Sequence, residues 1–298
     1  MKKSLIPLLL ALLATPALAD KLPVLASFSI LADLTREVGG ERVDVASLVG
    51  PDQDAHVFQP APQDVKKLAA AKVFVVNCLG FEGWLSRLSK SSGFKGQTVV
   101  ASQGVKAQDM AEEEHDHHGH DHGHTDPHAW HNPQNVKLYI NNIRAALTQA
   151  DPAGKDYYSQ RASQYSQQLD ALDADARQRF AAIPASQRKV LTSHDAFGYL
   201  AQRYQIRFLS PQGVSTDAEA SAKTVAKLVR QVKAEKIRAV FVENMTDKRL
   251  LEQLSREAGV QVGGKLYADA LSPANGPAPS YLKLFSHNVN SLSAAMKP

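Results

Sequence analysis

Cysteine is almost missing: the 298-residue chain has one, Cys78. A lone thiol forms no internal disulfide, so no disulfide framework holds this fold. Its place in the apolar run "VFVVNCL" reads as a small buried hydrophobe rather than a reactive group. A large excess of one charge is lacking as well. The formal net charge is +4, of which Lys2 and Lys3 supply 2 and leave +2, too weak to argue for nucleic acid. No HExxH-like pair is present, so the helix-borne zinc site of many hydrolases is not encoded. The N-terminal apolar run "LIPLLLALLATPALA" falls short of the ~20 residues that span a bilayer. Preceded by Lys2-Lys3 and closed by Ala17-Leu18-Ala19, it has the form of a signal peptide, residues 1–19, cleaved after Ala19. Asp20, not a cysteine, stands directly after that point, so a freely diffusing periplasmic monomer is expected rather than a lipoprotein.

The remainder, roughly 280 residues, exceeds one typical domain and predicts two. Apolar runs alternate with helical patterns. The strand candidates are 22–28, 43–50, 72–80 and 97–102, then 189–194, 206–210, 237–243 and 260–267. Helical patterns fall at 29–40 and 62–71, after Asn132-Pro133, and near 195–203, 217–235, 246–258 and 279–296. Continuous apolar strands between helices imply mainly parallel sheets covered on both faces. Residues 151–183 stand apart. Asp151-Pro152 caps and starts a helix and Pro184 stops it, while Tyr158, Ala162, Tyr165, Leu169, Leu172, Ala176 and Phe180 recur at steps of three and four. The expected architecture is α/β: an N-terminal lobe over 20–150, one long rigid linking helix over 151–183 and a C-terminal lobe over 184–298. Ligands of open α/β sheets bind beyond the carboxyl ends of the strands, which places a site in the interlobe cleft.

Histidine is what the sequence has in abundance, and eight of its eleven lie in "EEEHDHHGHDHGHTDPHAWHNP", residues 112–133. Residues 111–126 hold six histidines, six carboxylates and no lysine or arginine. Such a segment buries too little apolar surface to offset its ordering entropy, so 112–124 reads as a loop. His115, His117, His118, His120, His122 and His124 offer interchangeable ligand geometries and predict modest binding of several ions. A defined site needs ligands on rigid elements. "TDPHAWHNP" meets that need, with His128 as the ligand candidate; His131 either supports a ligand or lies on the surface. His56 and His194 follow strands of the two lobes. A fourth ligand would be a carboxylate of the second lobe, and on the residues alone Asp269 and Glu243 compete. Asp195, next to His194, is a candidate to support it.

"DAHVFQPAPQDV", "NCLGFEGWL", "DPHAWHNP", "SHDAFGYLAQRY" and "LYADAL" together resemble the zinc- and manganese-type solute-binding proteins of ABC importers, in order and across the presumed mature chain. The resemblance implies two α/β lobes bridged by a long helix that limits lobe movement, with the metal between them. Carried onto this sequence, the ligands are His56, His128, His194 and Asp269, which favours Asp269 over Glu243. The acidic histidine-rich insert is typical of zinc-binding members. Three imidazoles and one carboxylate suit Zn(II), and with that ion the ligand charge sums to about +1, so neighbours such as Asp195 or Glu243 are expected to add hydrogen bonds. The implied partner is the membrane permease of a metal importer, with a periplasmic metallochaperone as a second candidate. Two other readings remain at this point: a zinc buffer acting mainly through the loop, and a zinc-dependent hydrolase with Glu243 as base.

Overall fold

A computed structural model describes residues 20–109, 125–218, 220–237 and 239–297. The expected signal peptide and the tract from His115 to His124 lie outside the described residues.

In the first lobe, β1 (Leu22–Phe28), β2 (Val43–Val49), β3 (Val73–Val76) and β4 (Gln97–Val100) form a parallel sheet in the order β2-β1-β3-β4. Its connections carry α1 (Ser29–Gly39), α2 (Pro62–Ala70) and α3 (Leu85–Ser92), and α4 (Pro133–Ala150) follows β4. At the start of α4 the Asn132 side chain accepts from the Gln134 N–H at 3.0 Å and Pro133 occupies the first turn. β3 stops four residues short of its expected end. The buried Glu82 carboxylate collects the N–H groups of Asn77 (2.7 Å) and Cys78 (2.8 Å) and the Ser27 hydroxyl (2.7 Å). These bonds draw the chain out of the sheet, and Cys78 and Leu79 turn through left-handed φ values of 63° and 56°.

The linking helix is α5 (Lys155–Ala181), 27 residues and about 40 Å long at the usual rise. It is preceded by a 3₁₀ turn, Pro152–Gly154. Asp151 does not cap it, contrary to expectation. Its carboxylate accepts from Arg42 Nε (2.7 Å), Arg42 Nη2 (2.9 Å) and the Tyr158 hydroxyl (2.6 Å), tying the start of the helix to the first lobe. Near the other end Asp173 accepts from Arg203 Nε (2.5 Å), Arg203 Nη2 (2.6 Å), Tyr204 Oη (2.7 Å) and Arg177 Nε (3.1 Å), tying α5 to the second lobe.

The second lobe repeats the topology of the first. β5 (Lys189–Leu191), β6 (Arg207–Leu209), β7 (Ala239–Glu243) and β8 (Gln261–Leu266) pair in parallel in the order β6-β5-β7-β8, with α6 (Gly198–Tyr204), α7 (Ala222–Ala234), α8 (Arg249–Ala258) and α9 (Tyr281–Met296) around them. α7 begins later than expected because Ser221 caps it, its hydroxyl accepting from the Thr224 N–H. One apolar cluster runs from β1 and α1 through Trp130, Tyr158, Leu169 and Phe180 to Tyr281 and Phe285, so both lobes and α5 share a core. A smaller one lies under α7 and α8.

Burial works to raise the Asp173 pKa, but Arg203, Tyr204 and Arg177 outweigh it and hold the carboxyl at about 2. Asp173→Ala is therefore expected to cost about 2 kcal/mol at pH 7, read by urea denaturation. The folded pKa lies below the unfolded ~3.9, so this stabilisation is complete above that value. The gap between variant and parent should close as the pH falls toward 2.

Candidate metal centre

Four side chains from loops beyond strand ends meet between the lobes. His56 comes from the β2–α2 loop and His128 from the segment between β4 and α4. His194 follows β5 and Asp269 follows β8. Each offers one ligand atom, and these atoms all lie within 4.8 Å of one another. Asp269 Oδ2 is 3.3 Å from His56 Nε2 and 3.2 Å from His194 Nε2, and Asp269 Oδ1 is 3.5 Å from His128 Nε2. His128, His194 and Asp269 are fully buried, and the His56 side chain is 4% exposed. His194 Nε2 and both Asp269 oxygens make no hydrogen bond in good geometry among the described residues. Buried polar atoms are normally satisfied, so lone pairs left facing one another point to a cation between them.

Each histidine is held by its own set of hydrogen bonds. Asp126 Oδ1 accepts the His128 backbone N–H (2.9 Å) and its Nδ1–H (2.8 Å), which leaves Nε2 free to face the cluster. Glu243 does the same for His194. Its Oε1 accepts the N–H groups of Ser193 (2.8 Å) and His194 (3.1 Å), and its Oε2 bonds His194 Nδ1. His56 is seated through its backbone: its N–H donates to Asp54 Oδ1 at 2.9 Å, and the preceding Ala55 carbonyl accepts from Trp84 Nε1 at 2.9 Å. Aromatic rings wall the cluster. Phe81 meets the His56 ring edge-on at 4.7 Å, and Trp130 meets His128 at 5.3 Å.

Electrostatics follow from this packing. Burial opposes charge on His194, but Glu243 and Asp269 outweigh it and hold its pKa well above the usual histidine value. Burial would raise the Asp269 pKa, yet His194 and His128 hold it well below the ordinary carboxylate range. The cluster therefore keeps an ionised carboxylate and, without an ion, a proton on His194.

The geometry separates residues that sequence left together. Asp269 faces three imidazole nitrogens, whereas Glu243 stands behind His194. His131 is not on the surface. It is fully buried, its ring 4.6 Å from that of Phe197, and neither nitrogen finds a hydrogen-bond partner among the described residues, so it supports no ligand by that route. Burial above all, with His128 nearby, pushes its pKa down to about 3. Asp195, expected to support His194, is exposed, and the buried carboxylate on that ring is Glu243. Asp126 and Asp54 were missed. Their signal was available, since "DPH" and "DAH" both place an aspartate two residues before the histidine.

The family described as zinc-uptake complex component A, periplasmic, has a model that matches residues 24–295. The iron-binding protein YfeA of Yersinia pestis is 32% identical over 291 residues, covering 95% of this chain and 91% of the relative. The manganese ABC transporter substrate-binding lipoprotein PsaA of Streptococcus pneumoniae is 28% identical over 289 residues, covering 93% and 90%. Among solved structures, the periplasmic zinc binding protein TroA of Treponema pallidum superposes with a TM-score of 0.86 at 28% identity, covering 93% of this chain and all of that one.

Asp126→Ala removes the acceptor of two donors on buried His128. It is expected to lower the stability of the metal-free protein by about 2 kcal/mol, measured by chemical denaturation.

Proposed function

The chain belongs to the zinc-uptake complex component A family, periplasmic metal-binding components of ABC importers, and from that premise we propose that its cargo is Zn(II), held by His56, His128, His194 and Asp269. As such a component it works with a membrane permease and ATPase and is not an enzyme, which removes the hydrolase reading.

The observation that carries the zinc reading is the donor set: three imidazole nitrogens and one carboxylate, with no second carboxylate in the cluster among the described residues. Four such donors suit a tetrahedral zinc site closed to water. Manganese and iron(II) are harder ions that favour more oxygen donors, and zinc also stands above both in intrinsic affinity for nitrogen ligands. The relatives' names divide among iron, manganese and zinc, so family membership alone leaves the metal open, and the donor chemistry is what supports zinc. Neutral imidazoles donate to zinc, so loading displaces the proton from His194. The acidic histidine tract at 112–124 acts, in this reading, as a collector of further, weaker ions near the site, and cleavage after Ala19 releases a soluble monomer to the periplasm. The same donor set argues against the buffer reading, in which the tract would hold the tight ion.

Equilibration with equal Zn(II), Mn(II) and Fe(II), followed by elemental analysis, is expected to return zinc at one tight equivalent per chain. Deleting 112–124 should leave that equivalent in place, whereas alanine at any of the four proposed ligands should remove it. A preparation loaded with manganese instead, or a deletion that abolished tight binding, would refute the proposal. Affinity is expected to fall between pH 7.5 and pH 5 as imidazoles take up protons that zinc must displace; equal titration curves at the two values would contradict this.

A further inference from the structure

His56 differs from the other two histidines in how it is held. His128 and His194 each have a carboxylate on Nδ1, from Asp126 and Glu243. Among the described residues no carboxylate holds Nδ1 of His56, and this ring is the one at the edge of the cluster with residual exposure. What fixes it is the β2–α2 loop, and two aspartates of that loop reach across to the other lobe.

Asp54 uses both carboxylate oxygens. Oδ1 accepts the His56 backbone N–H at 2.9 Å, and Oδ2 accepts the Thr216 hydroxyl at 2.6 Å, from the segment joining β6 to α7. Asp52 holds a left-handed φ of 52°. Its N–H donates to the Leu271 carbonyl at 3.0 Å, and its Oδ1 accepts from Asn244 Nδ2 at 2.8 Å. The same Asn244 amide donates to the Ala270 carbonyl at 3.2 Å. Asn244 directly follows Glu243, and Ala270 directly follows Asp269. The two bonds from Asp52 thus end on Asn244, next to Glu243, and on Leu271, two residues after Asp269, while the Thr216 bond is made by Asp54, two residues before His56. From the other side, Trp84 pins the Ala55 carbonyl to the first lobe. The loop is gripped between the lobes, and Asp54 links that grip to a single ligand.

We propose that Asp54 and Thr216 form a clasp across the mouth of the cleft that positions His56, and that its opening sets the rate at which the ion leaves. Asp52 and Asn244 make the second half of the clasp. When Thr216 lets go, Asp54 loses its cross-lobe partner, the mouth parts beside His56 and the most weakly held imidazole leaves first. Three remaining donors retain the ion less long than four. Asp54 is a positioning residue here: it acts through His56 and does not itself face the ion. The inference rests on the reading of His56 as a ligand.

Zinc dissociation into excess chelator, followed by stopped flow on the full chain, tests it. Thr216→Val removes the cross-lobe donor and leaves the Asp54–His56 bond. It is expected to speed release about tenfold, the factor that a lost hydrogen bond to a carboxylate supports. The visible spectrum of the Co(II)-loaded variant should match that of the parent, because the four donors are untouched. Asp54→Asn keeps an oxygen for the His56 N–H and a polar partner for Thr216, so it should restore most of the slow release that Asp54→Ala loses. Ser221→Ala, which removes a hydroxyl from the same inter-element segment without touching the first lobe, should release zinc at the parental rate. An unchanged rate in Thr216→Val would overturn the clasp, as would equal acceleration by Ser221→Ala or an altered Co(II) spectrum in Thr216→Val. Retention of zinc affinity in His56→Ala would instead sink the ligand set on which the inference rests.

Discussion

A carboxylate taken fully out of water costs several kcal/mol to desolvate unless something positive takes water's place. Asp269 is such a group, buried to the last oxygen and surrounded by three imidazole nitrogens within 3.5 Å. In the empty protein a proton on His194 supplies part of that positive charge. In the loaded protein a divalent cation supplies more of it. The placement of both sheets follows from this requirement, since each lobe must bring two loops from the same end of its sheet to one point.

Two further carboxylates, Asp126 and Glu243, lie behind His128 and His194. Counting only the ligands, a divalent ion leaves the site about one unit positive. Counted as formal charges, these two carboxylates bring the balance to one unit negative. An excess of buried negative charge favours any divalent cation over none, so it contributes affinity without choosing among metals. Choice among metals lies with the imidazoles, and the two functions are carried by different residues of the same site.

How much of this was legible follows from chain distance. Alternating apolar runs and helical periods are local patterns, and they showed the two α/β lobes and the long helix. His56, His194 and Asp269 stood out as candidates because each follows a strand beside turn-forming residues, and His128 because prolines stiffen its segment before α4; only the family resemblance favoured Asp269 over Glu243. α3 (Leu85–Ser92) was not, being one short polar stretch with a single fully buried residue. The Asp54–Thr216 pair spans 162 residues and the Asp52–Asn244 pair 192, so nothing local to either partner announces the bond. Asp151 and Asp173 looked like ordinary polar residues at or along a helix, because their partners Arg42 and Arg203 arrive from other elements. Phe197 packs against His131 from the second lobe, a contact that periodicity around His131 does not encode.

The shared core joins the two lobes thermodynamically as well as spatially. Trp130, rooted in the first lobe, donates to the Ala268 carbonyl of the second, and the Tyr281 hydroxyl donates back to the Trp130 carbonyl. Neither sheet can melt without stripping apolar partners from the other. A ligand that binds only the folded state stabilises whatever unfolds as one unit with its site. Here that unit extends well beyond the cleft, so capture of one ion is registered as resistance to unfolding, proteolysis and hydrogen exchange at backbone positions far from any ligand.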